Sequence, residues 1–168
     1  IPFFREEHAR ALEPYVTTPA RRLRAIERLA AAGVRVGVMV APIVPGLGDE
    51  EMPRVLEAAR AAGASFAGWV MLRLPGHVRD VFEARIHAAL PDKAERIMSH
   101  VKQSRNGKVY DATFGVRGRG TGPYAEAIAA LFEATTKRLG FERPERREEG
   151  APGMATMANI PQPPPRGQ

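Results

Sequence analysis

Hydrophobic and polar positions along the chain follow two periods. From Ala20 to Ala32, Leu23, Ile26, Leu29 and Ala30 recur at helical spacing with arginines on the opposite side, which predicts an amphipathic helix. Thr18 ahead of Pro19 supplies an N-cap and a proline at the first helical position. Ala31-Ala32-Gly33 ends this helix, with the glycine in the left-handed position that follows a last turn. The next stretch, VRVGVMVA (34–41), is almost wholly apolar and rich in β-branched residues, which predicts a strand buried on both faces. The pattern then repeats. Asp49 is placed to cap a helix running to about Ala62 on the stripe Met52, Val55, Leu56 and Ala59, with Pro53 within its first turn. Ala61-Ala62-Gly63 closes that helix, and FAGWVMLRLP (66–75) predicts a second strand. Helix, strand, helix, strand with short links predicts an α/β fold with parallel strands and right-handed crossovers.

After Pro75 the period becomes helical throughout. Val78 to Leu90 and Asp92 to Ser104 read as two helices separated by Pro91, and RNGK (105–108) is a turn signal. FGVRGRGTGP (114–123) is a Gly/Arg loop, and Pro123 starts a helix with Ala125, Ile128, Ala129 and Phe132 on one face, ending near Gly140. Residues 1–140 are therefore expected to form the folded unit. From Phe141 the chain is charged and then proline-rich, which predicts a disordered tail over 141–168 with polyproline II character.

At 168 residues the chain suffices for one domain with a sizeable core. No apolar run approaches the roughly 20 residues of a membrane span, so no membrane partner is expected and the cytoplasm is the default compartment. The chain has no cysteine, which excludes disulfides and thiolate-bound metal within it. A net charge of +6 favours an anionic partner. The excess gathers between Lys102 and Arg119, where five Lys/Arg accompany one Asp. Lys102, Arg105, Lys108, Arg117 and Arg119 are thus candidate phosphate contacts, and a solvated basic surface explains them equally well. A start at Ile1 is expected of a piece of a longer protein.

Ligands of α/β folds sit at the carboxyl ends of the strands, here Pro42 to Asp49 and Arg73 to His77. Gly46 and Gly48 allow close backbone approach to a ligand, or simply make the turn. GRGTG (118–122) lacks the Lys-Ser/Thr of a P-loop; it is either an anion-binding nest ahead of the last helix or a flexible connection. His8, His77, His87 and His100 show no metal spacing and read as lone surface histidines. Glu6 and Glu7 suit a helix start. No Ser-His-Asp arrangement is supported. Trp69 and Met71 alternate along the second strand as core residues, with an adenine platform as the lesser reading.

The stretch from Glu13 to Ala64 resembles the radical S-adenosylmethionine (SAM) superfamily, in the branch related to spore photoproduct lyase and often labelled DNA repair photolyase-like. Glu13, Arg22 and Leu23, the block AAGVRVGVMVAPI, and PGLGD before a helix carry the resemblance, together with RLP (73–75) and YDATFGVRGRGTGPYAE (110–126). It spans roughly Ile1 to Leu139. It implies the C-terminal half of a partial (β/α)6 TIM-like barrel, the two strands being its fifth and sixth. It further implies a 4Fe-4S cluster whose three cysteine ligands lie outside this chain. It implies reductive cleavage of SAM to a 5′-deoxyadenosyl radical, a reductant such as flavodoxin or ferredoxin, and DNA as a substrate. The missing N-terminal half of the same protein becomes a partner. Carried onto this sequence, Val40, Ala41, Pro42, Trp69 and Met71 become candidate contacts to the adenosyl group. Glu13 and Arg22 either touch the polar end of SAM or pair with each other. The alternative reading is a non-catalytic basic α/β module that binds nucleic acid.

Overall fold

The computed structural model describes residues 1–109 and 118–142. In chain order the elements are α1 (Glu6–Leu12), α2 (Pro19–Ala31), β1 (Gly37–Ile43), α3 (Gly48–Ala61), β2 (Phe66–Met71), α4 (Val78–Ala89), α5 (Pro91–Gln103) and α6 (Pro123–Arg138). β1 and β2 pair in parallel, Gly37 opposite Phe66 and Val40 opposite Trp69. The register shifts between Val40 and Ile43, where the Ala41–Pro42 peptide bond is cis. The βαβ unit anticipated from the repeated pattern is therefore present. Among the described residues the sheet has two strands, so the structure is a mixed α/β fold and a barrel does not follow from it.

Local chemistry fixes most boundaries. The Thr18 hydroxyl accepts from the Arg21 N–H at 3.4 Å, and Pro19 opens α2, as a capped start requires. The start of α3 differs from expectation. Leu47 holds the N-cap position without a side-chain bond, and Asp49 lies inside the first turn, where its Oδ1 accepts from the Leu47 N–H at 3.1 Å. Asp49, Glu50 and Glu51 in that turn complement the helix dipole. With α3 starting at Gly48, Pro53 falls beyond the first turn, so the helix forgoes the backbone bond that residue 53 would have donated.

β1 does not bury both faces. Val38 and Val40 are buried, whereas Met39 between them is 53% exposed. Alternation along a strand sends Val38 and Val40 to one side with Ala67, Trp69 and Met71 of β2. Ile26 of α2, Met52, Val55 and Leu56 of α3, and Ile128 of α6 complete the core on that side. Among the described residues, helices thus cover one sheet face. The other carries Gly37, Met39 and Ala41 beside Phe66, Gly68 and Val70. Two glycines there make room for neighbours: the Phe66 ring lies over Gly37, and the Met39 methyl group over Gly68.

A second core closes the carboxyl end of the sheet. Val44, Leu47 and Leu74 from the strand-following loops pack with Phe3 and with Ile86, Ile97 and Val101 of α4 and α5. The folded body also extends beyond the expected boundary at Phe141. The Glu142 N–H donates to the Ser65 carbonyl at 2.8 Å, and the Glu142 carboxylate pairs with Arg35 at 2.7 Å. The tail from 143 lies outside the described residues. No described helix is long and apolar enough to cross a membrane.

Candidate functional site

The outer edge of β1 meets the first residue of the chain. The Val36 carbonyl accepts from Ser65 N–H, so alternation turns the polar backbone groups of Gly37, Met39 and Ala41 away from β2. On that outer edge the Ile1 nitrogen donates to the Met39 carbonyl at 2.6 Å. Glu13 and Arg22 pair nearby through Arg22 Nη2 and Glu13 Oε2 at 3.2 Å, both partly buried. Of the two readings of Glu13 and Arg22, the structure shows them paired with each other, close to Ile1 at the outer edge of β1.

The other candidate contacts to an adenosyl group lie on the opposite side of the sheet from Met39 and Ala41. Val40, Trp69 and Met71 lie on the helix-covered side and are buried, so their side chains do not line the uncovered face. Strand parity is the physical reason: all three share the side of Val38, which α3 and α6 cover. Trp69 instead contacts Phe132 of α6, ring centroids 6.1 Å apart, and the Arg119 guanidinium lies 4.6 Å from its ring.

The stretch Val44–Asp49, from the carboxyl end of β1 into the first turn of α3, is buried from end to end, which closes it to a ligand. Two polar networks hold it. In the first, Glu51 Oε2 accepts from the Phe4 and Arg5 N–H groups at 2.7 and 2.8 Å, and Glu51 Oε1 bonds His8 Nδ1. Lys93 Nζ sits 2.9 Å from His8 Nε2. An ammonium only donates, so Nε2 is assigned as the acceptor and the Nδ1–H as the donor to Glu51. His8, expected at the surface, is 4% exposed, as is Glu51. Both Glu51 oxygens are engaged, so this group clamps the N-terminal segment to α3 and offers no free acceptor to a ligand. In the second network the Tyr124 hydroxyl donates to Asp49 Oδ2 at 2.7 Å, and the His100 ring stacks on Tyr124 at 4.5 Å. The Tyr124 phenol is pushed well above its ordinary value, first by burial and then by its bond to the Asp49 carboxylate. Neither network was visible in the sequence as a motif. One signal was available: Glu51 precedes Val55 and Ala59 by four and eight residues, so a carboxylate stands on the buried stripe of α3.

The basic segment is only partly a surface. Lys102 and Lys108 are exposed and Arg119 lies over Trp69. Arg105 is 1% exposed, and its Nη2 donates to the Leu72 carbonyl at 2.5 Å. Arg105 therefore ties α5 to the end of β2 and is withdrawn from any phosphate. Arg117 lies outside the described residues. In the Gly/Arg loop the Thr121 N–H donates to the Ser104 carbonyl at 2.8 Å, which pins the entry to α6 onto the end of α5. Among the described residues no three His, Cys, Asp or Glu side chains gather to hold a metal ion. No family model, curated protein or solved structure matches the chain.

Proposed function

We propose that the chain is the C-terminal part of a radical SAM enzyme, with the uncovered face of β1 and β2 turned toward the adenosyl group. One observation carries this reading: a parallel βαβ unit whose helices, among the described residues, pack on one face, with apolar Met39 half in solvent on the other. A parallel sheet is ordinarily covered on both faces, and a barrel interior is one way to supply the missing cover. Ala41 and Pro42, at the carboxyl end of β1, are the residues that suit backbone and apolar contact with the ligand. The Glu13–Arg22 pair, close to Ile1 at the same outer edge of β1, would supply a charged rim. Phe66, Met39 and Val70 supply an apolar wall that excludes water.

The 4Fe-4S cluster does not fit this chain. It has no cysteine, and the described residues offer no alternative ligand group. In this reading the ligands come from sequence outside these 168 residues, and SAM bound at the cluster supplies the radical chemistry. DNA as substrate is the narrower form of the proposal, supported by the exposed Lys102 and Lys108.

The test is anaerobic reconstitution of the full-length protein with iron and sulfide, followed by reduction with dithionite or flavodoxin. Cluster absorbance and release of 5′-deoxyadenosine from SAM are the expected results. A full-length protein that shows neither overturns the reading. Retention of duplex DNA that weakens steeply with salt is expected for the narrower form.

A further inference from the structure

An asparagine side-chain amide is open to attack by the next backbone nitrogen, most of all where glycine follows, because glycine has no side chain to crowd the approach. The chain has two asparagines: Asn106 precedes Gly107, and Asn159 precedes Ile160. Asn106 is exposed and stands just past the end of α5. Its φ is +51, the left-handed position that asparagine shares with glycine after a last helical turn. The Gly107 N–H donates to the Lys102 carbonyl at 2.8 Å, the bond reaching back five residues that closes such a cap. The nitrogen that would attack Asn106 is thus the donor that completes the cap. The Asn106 side chain leans toward α6. Its Oδ1 lies 2.8 Å from the point that a Cβ on Gly122 would take, and Gly122 is the residue that precedes that helix.

We propose that Asn106 is a self-modifying site, losing ammonia through a succinimide at a rate set by opening of the α5 cap. A base removes the Gly107 amide proton, and the nitrogen forms a bond to Asn106 Cγ. The Cγ–Nδ2 bond breaks, and Nδ2 leaves as ammonia with a proton from water. Water then adds to either carbonyl of the ring and opens it. Opening at Cγ leaves an aspartate. Opening at the main-chain carbonyl leaves an isoaspartate, its backbone rerouted through Cβ and Cγ. Water enters and ammonia leaves, so the step needs no oxidant, reductant or cofactor. While the Gly107 N–H is bonded to Lys102, its proton is held, so reaction proceeds from states in which the cap is open. The two products differ in consequence. An aspartate keeps the backbone of the cap and brings a carboxylate to the start of α6, where the helix dipole favours it. An isoaspartate lengthens the main chain by one carbon inside the cap and pulls the Gly107 N–H out of register with Lys102. Either one adds a negative charge between Lys102 and Lys108, both exposed. This site is independent of the radical SAM reading and stands or falls without it.

The test is peptide mapping by mass spectrometry of the unaltered chain held at mildly alkaline pH, native and in guanidinium chloride, with isoaspartate counted by enzymatic methylation. In denaturant, Asn106 is expected to convert to aspartate and isoaspartate, and Asn159, crowded by Ile160, to convert more slowly. In the native chain the conversion of Asn106 is expected to slow by about tenfold or more. Hydrogen exchange reads the same Gly107 N–H, so its protection in the native chain, measured by NMR, is expected to match that slowing to within about threefold. Asn106→Gly keeps a residue suited to the left-handed position, so this variant is expected to retain the Gly107 protection and to lose the conversion. Four results overturn the proposal, and three of them need no variant: no conversion of Asn106 in denaturant, equal rates in the native and unfolded chain, a slowing that differs from the Gly107 protection by more than about tenfold, or conversion of the same peptide persisting in Asn106→Gly.

Discussion

Tyr124 links three parts of the molecule through one ring. Its hydroxyl reaches Asp49 on α3, its face stacks on His100 of α5, and it belongs to the first turn of α6. Its raised pKa has a consequence for stability. An unfolded tyrosine ionises near 10.0 while the folded one stays protonated. The contribution is therefore fully present below about pH 10 and is lost as pH rises through the higher folded value. Denaturant unfolding at a series of alkaline pH values is expected to show stability falling more steeply in the unaltered chain than in Tyr124→Phe. At neutral pH the same substitution is expected to cost about 1 kcal/mol, the worth of a partly buried hydrogen bond. Glu51 has more at stake. Replacing it with alanine leaves two N–H groups and a buried imidazole without their acceptor, and an expected loss of about 3 kcal/mol is measurable by urea unfolding. A double-mutant cycle with His8→Ala is expected to return a coupling of about 1 kcal/mol or more.

At the scale of elements, the sequence told where helices and strands lie and told less about what they face. The amphipathic stripes of α2 and α3 are local patterns, and their observed boundaries fall within a residue or so of the expected ones. A run such as VRVGVMVA carries no period that marks one side as covered, so Met39 and Val40 look alike until the neighbouring helices are in place. The same limit hid the direction of Trp69. Long-range polar pairs were illegible for another reason: Glu51 and His8 are 43 residues apart, and Tyr124 and Asp49 are 75 apart. The loop between β1 and α3 is where an element-level prediction is sharpest. Gly46 has φ +79, and a Cβ there would lie 2.5 Å from His100 Nδ1. Gly46→Ala therefore meets a strained backbone and a blocked ring together, with an expected cost of about 2 kcal/mol or more in thermal or denaturant unfolding. Gly33 also has a positive φ, of +76, but nothing within 4 Å, so Gly33→Ala is expected to cost about 1 kcal/mol from the backbone alone.

For the molecule as a whole, the decisive asymmetry is a sheet covered by helices on one side. If that other side meets a ligand and the rest of a barrel, as proposed, then Met39 is a contact in the full-length protein and a surface residue in these 168 residues. Met39→Lys is accordingly expected to change the stability of this chain by no more than about 0.5 kcal/mol. In the full-length protein it is expected to lower 5′-deoxyadenosine formation by about tenfold or more, since a charge would enter an apolar contact. Equal activity with and without the substitution would detach this face from the reaction. The two edges of the sheet are also unlike. Beyond β2, the chain's own backbone occupies both ends, the Glu142 N–H on the Ser65 carbonyl and the Gly118 carbonyl on the Met71 N–H. Beyond β1 the backbone partner is the Ile1 nitrogen on Met39. An edge already engaged is a poor template for another strand. Among the described residues both edges of the sheet are thus engaged by the chain's own backbone, β1 in mid-strand and β2 at its two ends, so neither presents an uninterrupted row of free N–H and C=O groups to a strand from another molecule.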